Sequence, residues 1–137
     1  MRVRIFDAEL DVDESRIAEA PAAVREQLRE YEAGERRAFD LAIEYPDDFT
    51  GTVMRAMARI PPGETRTYGD LAADLETAPV AVGQACGRNP LPVVVPCHRV
   101  VGAESLTGYA GGLALKRRLL EHEGAPIPGD EPSGSAE

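Results

Sequence analysis

The stretch Asn89-Pro-Leu-Pro-Val-Val-Val-Pro-Cys-His-Arg-Val100 constrains this chain more than any other. Proline fixes φ and removes a backbone donor, so the apolar run Val93-Val94-Val95, bracketed by Pro92 and Pro96, forms a short rigid segment that presents Cys97 and then His98. A thiol is an effective nucleophile only as its thiolate, and its unperturbed pKa of about 8.5 asks for a base or a cation nearby. His98 is the adjacent base. Neighbouring residues of an extended segment point to opposite sides, so His98 would act through a bridging water or after a bend. The competing reading is an inert, buried thiol, the commoner fate of a lone cysteine in apolar surroundings.

A chain of 137 residues suits one domain, or one domain with a small appendage, and can bury a real core. It contains no run of eighteen apolar residues, and Met1-Arg-Val-Arg-Ile-Phe-Asp7 lacks the apolar region of a secretory signal, so a cytoplasmic protein is expected. Cys86 and Cys97 are expected as thiols, since a disulfide would consume the candidate nucleophile. The net charge of −9 argues at first against nucleic acid. Its distribution softens that argument: residues 1–53 hold 7 basic against 14 acidic side chains, residues 54–124 hold 8 against 7, and residues 125–137 hold 0 against 3. The acidic surplus therefore lies mainly outside the Cys-His half, and it fits a cytoplasm of high ionic strength.

Along the chain, residues 1–6 alternate as one short strand and residues 7–13 read as an acidic connection. Val24, Leu28 and Tyr31 at helical spacing, with Gly34 as the stop, predict a helix over residues 21–33. Phe39, Leu41, Ile43 and Tyr45 alternate as a half-buried strand ended by Pro46. Val53, Met57 and Ile60 define the next helix, with Thr50 or Thr52 as its cap. Thr67-Tyr-Gly-Asp70 has the form of a capping box ahead of a short helix, and Pro79 opens a second one after a tight turn. That pair is a helix-turn-helix candidate; by periodicity alone the motif is weak, because many helical hairpins bind nothing. Ala81, Gly83, Ala85 and Gly87 thin the second helix, which can then approach another backbone closely. A last helix over residues 113–123 carries the stripe Leu115, Leu119 and Leu120 and stops at Gly124, and residues 125–137 are expected to be a disordered acidic tail.

The Cys-His segment, together with Gly108-Tyr-Ala-Gly-Gly112, Lys116, Leu119-Leu120 and His122-Glu-Gly124, resembles the active-site region of the O6-alkylguanine-DNA alkyltransferases. Ile60-Pro-Pro-Gly-Glu-Thr-Arg-Thr-Tyr-Gly-Asp-Leu-Ala72 is similar to the DNA-binding segment of the same family, so the likeness runs from about Val24 to Gly124. The resemblance implies an α+β protein: a shortened N-terminal α/β domain over residues 1–47, with no His/Cys cluster for a metal, and a mainly helical, winged helix-turn-helix-like domain over residues 48–124. It implies irreversible transfer of an alkyl group from O6-alkylguanine in double-stranded DNA to Cys97, by a cytoplasmic monomer that needs no cofactor or membrane. In that scheme Glu123 orients His98, His98 takes the Cys97 proton through a water, and Asn89 braces the active-site turn. Tyr68 addresses a guanine ring nitrogen, Tyr109 walls the pocket, and Pro92 and Val100 complete the substrate site. Gly111 and Gly112 would allow close approach of backbone to the base. The helix bearing Pro79, Val80, Ala81 and Gly83 would lie in the minor groove.

Two departures stand out. Relatives have arginine where this chain has Val80, and that arginine fills the gap left by the extruded base; Ala110 replaces a serine common beside the pocket tyrosine. The alternative within the same likeness is an alkyltransferase-like protein that flags lesions without repairing them. Those proteins usually carry tryptophan at the position of Cys97, so the cysteine favours repair, whereas the reduced N-terminal domain and Val80 favour the alternative. A Cys-His hydrolase would need an oxyanion hole, for which the sequence carries no motif.

Overall fold

The computed structural model describes residues 1–106, 109 and 112–128. Its first element is a hairpin, β1 (Arg2–Ile5) paired antiparallel with β2 (Ala8–Asp11), in which Val3 sits opposite Leu10. Val3, Ile5, Leu10 and Val12 turn inward to the core, while Arg2 reaches across to Glu9 and Asp11 on the outer face. Residues 7–13 are therefore not a plain connection. The turn uses Phe6 and Asp7 at φ 48° and 66°, a conformation usually signalled by Asn-Gly or Gly-Gly, so nothing in the local pattern announces it.

Helix α1 (Pro21–Glu32) comes next, with proline in its first turn and Val24, Leu28 and Tyr31 on the buried face. The alternating residues 39–45 do not form a strand: one isolated bridge, Ile17 to Ile43, is all the pairing they find. They run extended beside residues 16–18, and Ala18 N–H donating to Ala42 O and Glu44 N–H donating to Arg16 O flank the bridge. Alternation marked the half-buried face correctly, but among the described residues the pairing stops at that single bridge, too short for a strand.

Helix α2 (Phe49–Ala58) is capped by Asp48, not by Thr50 or Thr52. Asp48 accepts from Gly51 N–H at 3.1 Å, Thr50 is buried inside the first turn, and the Thr52 hydroxyl donates back to Asp48 O. After the short strand β3 (Arg66–Thr67) comes α3 (Tyr68–Leu75), whose capping box is closed from both sides at 2.9 Å between Thr67 and Asp70. Glu76 ends it in the left-handed conformation, and Pro79 begins α4 (Pro79–Gly87), which packs on α3 and on α2 as a helix-turn-helix. Strand β4 (Val100–Val101) pairs parallel with β3, and α5 (Leu113–Glu123) stops at Gly124 with φ 76°. Five α-helices and two small sheets make an α+β fold among the described residues. One core runs from Val3 and Ile5 of the hairpin through Met54 and Met57 to Leu119, so α1 and the hairpin share it with the helix-turn-helix.

Just past α5 the chain turns back onto the core. Ala125 is buried and Ile127 packs against Val101, Leu106 and Leu120, because the left-handed turn at Gly124 returns the chain to that apolar patch. Residues 129–137 of the expected tail lie outside the described residues, as do Ala110 and Gly111.

Gly51 shows where the packing leaves no room: a Cβ there would stand 1.8 Å from the Pro46 carbonyl oxygen, whereas at Gly69 the nearest such atom is Thr67 Oγ1 at 3.7 Å. Gly51→Ala is expected to lower unfolding stability by at least about 1–3 kcal/mol, since backbone must move. Gly69→Ala should be neutral or stabilising by up to ~1 kcal/mol through helix propensity. Urea denaturation of the two variants checks the contrast, and equal effects would contradict it.

Candidate active site

The loop between α4 and β4 delivers the nucleophile, and Asn89 determines its shape. Its side-chain amide donates to Val95 O at 3.0 Å while its side-chain oxygen accepts from Leu91 N–H at 3.0 Å. Inside that clamp Val93 adopts φ 73°, a region that costs a β-branched residue of order 1–3 kcal/mol and persists only where the surroundings over-determine it. Burial of Val93 and Val95 in the core offsets the strain. The loop then enters a 3-10 turn, Cys97–Arg99, so the bend between the thiol and the imidazole is built into the backbone.

His98 is wholly buried, and its Nε2 lies 2.8 Å from Glu123 Oε2 at the end of α5. Glu123 also accepts from Arg99 Nε at 2.9 Å, from Arg99 Nη2 at 2.8 Å and from the Tyr31 hydroxyl at 2.6 Å. Burial opposes ionisation of this carboxyl, but the hydrogen bonds from His98 and Arg99 and the charge of Arg99 outweigh it and hold Glu123 far below the ordinary carboxylate range. An ionised carboxylate only accepts, so the proton between the two groups sits on His98 Nε2. Burial, and after it Arg99 and Lys116, keep the imidazole neutral by lowering its pKa against the pull of Glu123. The remaining nitrogen, Nδ1, is then a lone-pair acceptor, and it is buried with no hydrogen-bond partner among the described residues. That is the arrangement of a general base awaiting a proton.

The proton available is that of Cys97, which is 5% exposed. Burial raises the thiol's pKa, and Asn89, Lys116 and Tyr109 oppose that rise. Lys116 is fully buried, its ammonium donates to Leu106 O at 2.6 Å, and it stands 5.8 Å from the Tyr68 ring. Burial pulls it down to about 8, with the thiols of Cys97 and Cys86 pulling the other way. The positive charge of Lys116 favours the Cys97 thiolate. Cys86 itself is pushed up to about 12 by burial and rests on Met57 Sδ at 3.5 Å.

Of the residues singled out from the sequence, Cys97, His98, Glu123, Asn89 and Tyr109 converge, with the Tyr109 ring 6.4 Å from His98. Tyr68 joins them through Lys116. Pro92 and Val100 are buried: Pro92 bridges to Val95 within the loop, and the Val100 side chain belongs to the core behind the site. On α4, Gly83 faces the Tyr68 ring, where a Cβ would lie 3.9 Å away, Pro79 and Val80 are exposed, the latter at 67%, and Ala81 is partly covered. Sequence reasoning gave no role to Arg99, Lys116 or Tyr31. A lysine inside the leucine stripe of α5 was a readable signal for Lys116, whereas Tyr31 looked like any core residue of α1.

Comparison with known proteins places this geometry in context. Residues 48–125 match the profile of the 6-O-methylguanine DNA methyltransferase DNA-binding domain. The methylated-DNA–protein-cysteine methyltransferase of Mycobacterium tuberculosis is 47% identical over 109 residues, which is 77% of this chain and 66% of that protein. This chain thus spans just under two thirds of the length of that relative. The protein of the same name from Archaeoglobus fulgidus is 47% identical over 107 residues, 72% of this chain and 71% of that one. Among solved structures, Mycobacterium tuberculosis OGT in complex with DNA superposes with a TM-score of 0.72 at 45% identity, covering 78% of this chain and 69% of that one.

The buried carboxylate has a thermodynamic signature. An unfolded glutamate titrates near about 4.3, and the folded Glu123 titrates lower, so as pH falls the unfolded chain takes the proton first. The stability that Glu123 contributes is present above that value and drains away below it. Glu123→Gln strands the Arg99 charge and should cost about 3–5 kcal/mol at neutral pH. The gap to wild type should narrow as pH falls below ~4 in urea unfolding curves; a gap unchanged from neutral to acid pH would contradict the assignment.

Proposed function

Because the chain belongs to the 6-O-methylguanine DNA methyltransferase family, we propose that it repairs DNA by direct reversal, moving the alkyl group of O6-alkylguanine onto Cys97 in a single turnover. The observation that carries this reading is the buried Nδ1 of His98, which has no hydrogen-bond partner among the described residues and lies one residue along the 3-10 turn from the thiol, with Nε2 committed to Glu123. His98 takes the Cys97 proton, through one water where the two do not meet directly. The thiolate sulfur forms a bond to the alkyl carbon as the carbon–O6 bond breaks, and that electron pair passes into the guanine ring, which recovers a proton. Tyr68 is the proposed donor to a ring nitrogen, Lys116 the cation that favours the thiolate, Tyr109 the wall of the base pocket, and Asn89 the brace of the loop. The thioether so formed is stable, so each molecule acts once, as a monomer.

Residues 48–124 are the proposed DNA-binding and acceptor unit, and residues 1–47 its support. The thin face of α4, with Pro79, Val80, Ala81 and Gly83, is the proposed contact with the minor groove of a duplex from which the lesion has been flipped. The cytoplasm, where thiols stay reduced, is the proposed site of action; no helix among the described residues is long and apolar enough to cross a membrane.

Incubation with an O6-methylguanine oligonucleotide should add the mass of one methyl group per protein molecule, located on Cys97. Cys97→Ala should abolish the gain while Cys86→Ala retains it. Binding of the lesion with no mass gain would replace this reading with that of a lesion-flagging protein.

Val80 generates a separate expectation. Flipping costs a few kcal/mol in duplex and much less in a single strand. An exposed valine can wedge into a base step, but it lacks the cation of the arginine it replaces. Val80→Arg should therefore speed transfer from duplex substrates, leave single-stranded ones nearly unchanged, and lose its advantage as salt rises. Equal acceleration on both substrates would point to a general charge effect instead.

A further inference from the structure

The family profile begins at residue 48, yet the carboxylate on which His98 depends is held partly from before that boundary. Tyr31 of α1 is 1% exposed, and its hydroxyl makes the shortest of the hydrogen bonds to Glu123, 2.6 Å to Oε2. Its own carbonyl oxygen accepts from His122 Nε2 at 2.6 Å, and Arg37 donates to the Glu123 carbonyl oxygen at 3.2 Å. The last turn of α5 is thus fixed at three points by residues 31–37. Oε2 receives three donors, Tyr31, His98 and Arg99, while Oε1 receives Arg99 alone. A carboxylate oxygen has two lone pairs, so these donors share them, and what Tyr31 takes His98 does not have.

We propose that Tyr31 is a positioning residue for the proton transfer: its hydroxyl fixes Glu123 Oε2 against His98 Nε2 and limits how strongly that oxygen can hold a proton on the imidazole. The proposal rests on the reading of Cys97, His98 and Glu123 as a relay. It assigns to α1 a part in the chemistry of the helix-turn-helix unit beyond support of its core. Without the phenol, Glu123 becomes a stronger acceptor and the imidazolium is favoured, so the neutral base is depleted at a given pH. The other groups facing His98 are Arg99 beside it, Glu123 and Lys116 from α5, and Cys97 and Tyr109. A change confined to the Tyr31 hydroxyl leaves all of them in place.

The test is the pH–rate profile of methyl transfer from an O6-methylguanine oligonucleotide, for wild type, Tyr31→Phe, and a variant with 3-fluorotyrosine at position 31, a stronger donor of nearly the same shape. In Tyr31→Phe the acid limb should move up by about half a unit or more, with a several-fold loss of rate on that limb and full recovery at higher pH. In the fluorotyrosine variant the limb should move down, which also serves if the phenylalanine variant folds poorly. A loss of rate equal at every pH, or a limb unmoved in both variants, would overturn the proposal and leave Tyr31 a packing residue. NMR titration of the His98 imidazole makes the same comparison without DNA. A wild-type protein that gains no methyl group would thus defeat the transfer reading while the effect of Tyr31 on His98 was still measured.

Discussion

The ionised carboxylate of Glu123 is the constraint on which the site depends. It lies in the interior, where an unpaired charge would cost several kcal/mol, and it is tolerable only because Arg99, His98 and Tyr31 deliver four hydrogen bonds to it. The partners come from different parts of the chain: Tyr31 from α1, His98 and Arg99 from the 3-10 turn, with Glu123 itself in the last turn of α5. Satisfying one buried anion therefore fixes three elements relative to one another. The same anion decides the tautomer of His98 and leaves Nδ1 as the nitrogen with the lone pair. Arg99 Nη1 extends the arrangement to the Ile60 carbonyl oxygen at 2.6 Å, tying it to the end of α2.

The loop ahead of Cys97 adds a second constraint, this one conformational. Val93 at positive φ is held by the hydrogen bonds of Asn89 and by its own burial and that of Val95. Rigidity obtained in this way fixes the thiol at the start of the 3-10 turn, where burial raises its pKa. Lys116 works against that burial.

Charge elsewhere obeys a different logic. The formal charge of −9 resides mostly on residues 1–53 and the C-terminal end, while the helix-turn-helix half is nearly balanced. On α4 the exposed side chain at the second helical position is apolar Val80 instead of a cation. An apolar side chain at that position adds no positive charge to the exposed face of α4.

Local features were determined by the sequence itself. The periods of α1, α2 and α5, the Thr67–Asp70 capping box, the proline that opens α4 and the glycine that stops α5 each depend on residues within one or two turns, so a linear reading captures them. Cys97, His98 and Glu123 were legible as a motif, though nothing local says that they meet. Tertiary structure decided the rest. The strand β2 exists because Phe6 and Asp7 accept left-handed backbone to fold it onto β1, and residues 39–45 fail to become a strand because, among the described residues, their pairing stops at a single bridge. Tyr31 reads as one more core residue until its hydroxyl is seen on a carboxylate 92 positions away, and Arg99 and Lys116 likewise acquire meaning only from partners on other elements. Secondary structure is governed by hydrogen bonds between near neighbours, whereas the pairing of buried charges is governed by which distant groups the folded core leaves to satisfy them.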